Sequence, residues 1–135
     1  MGLTILDAGV VIAALARDDT HHAAAVAAIA DVVTRGDRLA IPASALAEAL
    51  VHPFRSSQAA VERVGRFIDE LPATVERLTR PIALASAAAR ASFGRALSLP
   101  DALVVGTAIV LEADDILTTD AGWPSLGRRV TVVAG

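Results

Sequence analysis

An α/β fold with a mostly parallel sheet is predicted for this chain, on three observations. Short apolar or β-rich runs alternate with longer helical patterns from one end to the other. The first run, Leu3 to Leu6, carries no charge, as a strand covered on both faces requires. Hydrophobic residues make up 54% of the chain against 20% charged, enough for one full core and too apolar for disorder. A length of 135 residues fits a single domain spanning 1–135.

The elements follow in order. After the first strand, Asp7 precedes a helix through Val10, Val11, Ile12 and Leu15, and N-cap is its ordinary role. His21 and His22 open an alanine-rich helix to about Thr34, ended by Gly36. As neighbours on a helix the two histidines do not face one site, and both are expected to face solvent. Arg38 to Ile41 is a second strand, and Pro42 turns into a helix through Val51 that Pro53 should stop. Ser56 or Ser57 then caps an amphipathic helix with Val61, Val64, Ile68 and Leu71 on one face. Thr74 to Leu78 is a third strand, and Pro81 starts a helix ending near Ala96. Ser98 to Glu112 reads as one buried helix with almost no polar face. Asp114 and Asp115 mark a turn, Ile116 to Thr119 is a fourth strand, and Arg129 to Val133 is the last.

Four acids stand out from this pattern. Asp7 is the only charge from Met1 to Ala16, and Glu48 the only one between Leu39 and Val51. Asp101 is the only charge of its helix before Glu112. Asp120 falls at the end of the fourth strand. Local explanations exist for three of them: a helix cap at Asp7, the S-x-x-D capping spacing of Ser98 and Asp101, and a turn at Asp120. Glu48 has none, because only His52 lies within one helical turn as a partner. In a parallel sheet the carboxyl ends of the strands share one edge, where ligands bind. Asp7 and Asp120 fall at such ends, and Asp101 and Glu48 can face the same edge. Carboxylates gathered there repel one another unless cations sit among them. Oxygen ligands select Mg²⁺ or Mn²⁺, and the absence of cysteine and of a histidine cluster speaks against zinc. Such a site suits phosphodiester hydrolysis, with one ion or a pair roughly 3.5–4 Å apart.

Other classes are excluded or disfavoured. No Gly-rich phosphate loop is present, which removes kinases and NTPases. A phosphatase with Asp7 as nucleophile is disfavoured rather than excluded, because the common D-x-D pattern is absent and residue 9 is glycine. Without cysteine there is no disulfide, which fits a cytoplasmic protein. The N-terminal apolar run lacks a basic flank and contains Asp7, so it is not a signal peptide, and no segment reaches the roughly 18 apolar residues of a membrane span. The net charge of −3 is unlike a protein that coats nucleic acid, although all 12 basic residues are arginine and local patches remain open.

The segments L-D-A-G-V-V-I-A-A-L around Asp7, A-L-A-E-A-L-V around Glu48, L-P-D-A-L around Asp101 and L-T-T-D around Asp120 resemble PIN-domain ribonucleases, most closely the VapC toxins of toxin–antitoxin pairs. The resemblance covers nearly the whole chain, with the four acids in the family's order. It implies a three-layer α/β/α sandwich with a five-stranded sheet, Mg²⁺- or Mn²⁺-dependent RNA cleavage, homodimers and a small antitoxin partner. By it, Asp7, Asp101 and Asp120 would hold metal, and Glu48 would bind metal or position water. Thr118 matches a hydroxyl residue near the last acid. Many relatives carry Ser or Thr shortly after the first aspartate, where Ala8 and Gly9 stand here. The antitoxin is expected in a groove around Leu46, Leu50, Val61 and Ile68. The alternative is a PIN-like binding module whose acids only cap helices or bind metal weakly.

Overall fold

The computed structural model describes residues 1–134; Gly135, the end of the expected 1–135 domain, lies outside the described residues. Five parallel strands form one sheet in the order β3-β2-β1-β4-β5. They are β1 (Leu3–Leu6), β2 (Arg38–Pro42), β3 (Ala73–Glu76), β4 (Asp115–Thr118) and β5 (Val130–Val132). The helices are α1 (Ala8–Leu15), α2 (His22–Thr34), α3 (Ala43–Ser56), α4 (Gln58–Glu70), α5 (Arg80–Phe93) and α6 (Leu99–Val110). A parallel sheet must be covered on both faces, and this one forms the centre of the expected α/β/α sandwich. Its core is built from Ile5, Leu6, Leu39, Ile41 and Ile116, all essentially fully buried.

The topology decides where a site can form. From β1 the chain moves outward through β2 to β3, then crosses back so that β4 pairs with the other side of β1. The order therefore reverses between β1 and β4. The carboxyl ends of these two strands bound the crevice in which α/β sheets bind ligands.

Several boundaries depart from the sequence reading. The helix expected to stop at Pro53 continues as α3 to Ser56. Proline removes only its own amide bond to the preceding turn, while its carbonyl still accepts from Ser57 N–H at 3.1 Å. The helix expected to reach Ala96 ends at Phe93, because Gly94 takes a left-handed φ of 58° and a 3₁₀ turn, Gly94–Ala96, follows. The helix read as buried throughout is α6, and it is open on one side, where Leu99, Ile109 and Val110 are exposed. It closes at Glu112, with a φ of 54°, where Ala113 N–H reaches back to Ala108 O.

Asp115 begins β4 rather than a turn. Its carboxylate is buried and accepts from Ile116 N–H and from the Thr131 hydroxyl of β5. The third strand is Ala73–Glu76 in place of Thr74 to Leu78, and β4 and β5 are each shorter than expected at their carboxyl ends. The histidines do not face solvent freely either. Both are half-buried, and His22 Nδ1 pairs with Ala13 O of α1 at 2.9 Å.

Candidate functional site

Asp7 ends β1 and caps α1. Its extended backbone (φ −74°, ψ 157°) lets one carboxylate oxygen accept from Ala8 N–H at 2.8 Å. The other oxygen accepts from the Thr118 hydroxyl of β4 at 2.7 Å. Thr118 is fully buried, and its hydroxyl in turn accepts from Asp120 N–H at 3.1 Å. One buried threonine thus ties the first acid to the backbone of the last, across the reversal of strand order. Asp120 continues into a turn, its carboxylate accepting from Gly122 N–H at 2.7 Å.

Asp101 sits in the first turn of α6. Its amide donates to Ser98 Oγ at 3.4 Å, as the capping spacing predicts. The reciprocal bond, from Ser98 N–H to the Asp101 carboxylate, is not made among the described residues. The cap is therefore only half of a capping box. Glu48 lies on α3 and is exposed rather than buried, so its isolation in the sequence reflects a place at the rim.

The four acids affect one another electrostatically. Asp7 is only 8% exposed, and burial pushes its carboxyl above the usual carboxylate range. The charges of Asp101 and Asp120 add to this, against the opposing hydrogen bonds from Thr118 and Ala8. Glu48 is raised first by desolvation and then by Asp7 and Asp101. Asp101 is raised first by desolvation, with Asp120 adding to it and the Ser98 hydroxyl opposing. Among the described residues, none of the four forms an ion pair with arginine or histidine.

The structure thus brings Asp7, Glu48, Asp101 and Asp120 into one field and places Thr118 between two of them. Among the described residues, no three Asp, Glu or His side chains are drawn together tightly enough to form a finished metal shell. The donors themselves fit a hard divalent cation: every one is an oxygen, and among the described residues no cationic side chain pairs with them.

Beside this cluster lies a groove of about 620 Å³ that begins at Glu48. Ile12, Leu15 and Val64 give it apolar walls, and Arg17, His52 and Arg63 line it with polar groups. It is not the groove expected from the sequence. Leu46 and Ile68 pack against the core, and Leu50 and Val61 are half-buried elsewhere on α3 and α4. The amphipathic face of α4 is largely occupied by its own fold, and the open surface is the neighbouring side of the helix pair.

Sequence reasoning also missed Thr119. A Cβ on Gly9 would collide with Thr119 Oγ1, so the position lacking a hydroxyl on α1 is filled by one from the end of β4. Gly9 carried the available signal, since glycine inside a helix often marks a close approach.

A sequence profile of the PIN domain matches residues 4–128. The chain belongs to the PIN-domain family. No curated protein matches the sequence of this PIN domain. Solved structures resemble it in fold. VapBC from Salmonella typhimurium, bound to DNA, superposes with a TM-score of 0.73 at 17% identity, covering 99% of this chain and 100% of that one. VapBC2 from Rickettsia felis, bound to a DNA fragment from its promoter, gives 0.71 at 12% identity, with 96% and 98% covered. VapC20 from Mycobacterium tuberculosis, a toxin that cleaves the sarcin–ricin loop, gives 0.68 at 14% identity over 84% and 86%. The fold is thus shared with these structures at low sequence identity.

Proposed function

We infer that this PIN domain is an endoribonuclease that hydrolyses RNA phosphodiester bonds with Mg²⁺ or Mn²⁺, and that it is the toxin of a toxin–antitoxin pair. The observation that carries this reading is the set of four acids gathered about the reversal of strand order, none of them paired with an arginine among the described residues. Asp7, Asp101 and Asp120 would hold the cation, and Glu48 at the rim would bind it or position a water. When bound, the cation supplies charge neutralisation at the phosphate and lowers the pKa of a coordinated water. Thr118 holds the Asp7 carboxylate in one orientation, and the Ser98 cap fixes the turn that presents Asp101.

The toxin reading is supported by the solved structures of like fold, two of which are of VapBC and one of VapC20, a toxin that cleaves the sarcin–ricin loop. An antitoxin segment would lie in the groove between α1, α3 and α4, where Ile12 and Leu15 offer an apolar surface beside the acids. The exposed Leu84, Ile109 and Val110 are compatible with the expected homodimer.

The deciding experiment compares wild type and Asp101→Ala on structured RNA with and without Mg²⁺. Cleavage that needs the cation and is lost in a normally folded variant is the expected result. Equal cleavage by both removes these acids from catalysis. Wild-type protein that binds RNA and never cuts it makes the domain a binding module instead.

A further inference from the structure

Thr118 ends β4 and Thr119 follows it directly, and the two are used differently. Thr118 is fully buried, its hydroxyl fixed between Asp7 and the amide of Asp120. Thr119 is half-buried, and among the described residues its hydroxyl makes no hydrogen bond. Its place is nonetheless tightly defined. A Cβ on Gly9 would collide with Thr119 Oγ1 and stand 3.6 Å from Thr119 Cβ.

Gly9 does not have a positive φ, so no backbone conformation calls for glycine there. Inside a helix glycine is disfavoured relative to alanine. What the missing side chain provides is room. The chain gives up a better helix former in the first turn of α1 so that the Thr119 side chain can lie against it. The hydroxyl is thereby held beside a residue two positions from Asp7, on a residue next to Asp120.

The chemistry of the place suits such a group. Ionised carboxylates accept hydrogen bonds and donate none. A small hard cation among them keeps several of its waters, and the protons of those waters need acceptors. A threonine hydroxyl can accept from such a water and donate to a neighbouring carboxylate through one rotatable O–H. Thr118 cannot do this, because its single O–H is already given to Asp7 and the residue is fully buried.

We propose that Thr119, seated on Gly9, is a positioning residue of the carboxylate site whose hydroxyl orients a water in the outer shell of the bound divalent cation. The proposal rests on the reading of the four acids as a cation site. Outer-shell partners of this kind are worth about 10–100-fold in metal affinity.

The test is calorimetric titration of the purified full chain with MnCl₂, without RNA. Thr119→Val, which keeps the shape and removes the hydroxyl, is expected to weaken Mn²⁺ binding at least about ten-fold. Thr119→Ser should stay close to wild type. The exchange Gly9→Ser with Thr119→Gly returns a hydroxyl to the same space from the helix side, and should recover most of the affinity that Thr119→Gly alone loses. Thermal midpoints in EDTA are measured for every variant, and a loss of stability does not by itself produce rescue by the exchange. Wild-type affinity in Thr119→Val, or an exchange no better than Thr119→Gly, overturns the proposal and leaves the cation site standing. A wild-type chain that takes up no Mn²⁺ overturns both.

Discussion

The two edges of the sheet are both rich in aspartate, and they treat it in opposite ways. At the amino-terminal edge each carboxylate has donors suited to it. Asp37 accepts from Gly2 N–H at 2.8 Å and from Arg35 Nε at 2.7 Å, and the Arg35 guanidinium holds its carboxyl below the usual range. Asp114 accepts from Leu3 N–H at 2.7 Å. Asp115 is satisfied by Ile116 N–H and Thr131, with Arg129 Nε at 3.5 Å. At the carboxyl-terminal edge the carboxyls of Asp7, Glu48 and Asp101 are pushed upward, and among the described residues no arginine pairs with them. The same side chain thus stabilises one edge and is left under electrostatic load at the other. Burial does not separate the edges, since Asp115 and Asp7 are both buried, and each accepts from a backbone amide and a threonine hydroxyl. The neighbouring charge does, with Arg129 beside Asp115 and the carboxylates of Asp101 and Asp120 acting on Asp7.

This contrast can be broken or sharpened by substitution. The largest effect is expected at the loaded edge: Asp7→Ala or Asp101→Ala should reduce Mg²⁺-dependent cleavage by more than the roughly 100-fold upper range of an outer-shell partner, read in a single-turnover RNA assay. Thr118→Val comes next, with Mn²⁺ affinity expected to fall about 10–100-fold by calorimetry as Asp7 loses its orientation. At the satisfied edge the sign of the comparison reverses. Asp115→Ala should cost about 1–3 kcal/mol in urea unfolding, through the donors it strands, and leave the rate constant for cleavage unchanged. A loss of cleavage there without a loss of stability would erase the distinction between the edges.

The smallest effect is a pH dependence. Because burial raises the Asp7 carboxyl in the folded chain, the native state binds its proton more tightly than the unfolded state does. In EDTA this group's contribution is therefore best at low pH, and stability falls as pH rises from the ordinary carboxylate range through the raised value. Asp7→Asn removes that penalty, and its thermal midpoint at pH 7 should exceed wild type by roughly 2–5 °C, the scale of about 1 kcal/mol in a chain of this size. Saturating Mn²⁺ should reverse the order of the two proteins.

The fold and the acids were legible because both rest on local rules. Strand and helix alternation, the N-cap at Asp7 and the S-x-x-D spacing at Ser98 all read directly from neighbouring residues. The local roles of Asp7 and Asp120 also proved compatible with the site, since a cap and a turn are what hold those carboxylates in place. What escaped depends on elements distant in the chain. Nothing near Pro53 shows that the following turn is kept in α3. The paired faces of α3 and α4 could not tell which side would be covered: Leu46 and Ile68 pack against the core, and the open groove lies on the neighbouring side. The meeting of Gly9 with Thr119 joins residues 110 positions apart, and Gly9 alone gave only a hint of close approach.

The paired bonds at Asp7 also limit how many ions it can serve. An ionised carboxylate offers about four lone-pair directions, two on each oxygen. Ala8 N–H occupies one on Oδ1, and the Thr118 hydroxyl occupies one on Oδ2. One direction is left on each oxygen, enough to chelate a single cation or to bridge two, and no more. What Asp7 could offer a cation is therefore set from the protein side, by a backbone amide and a threonine.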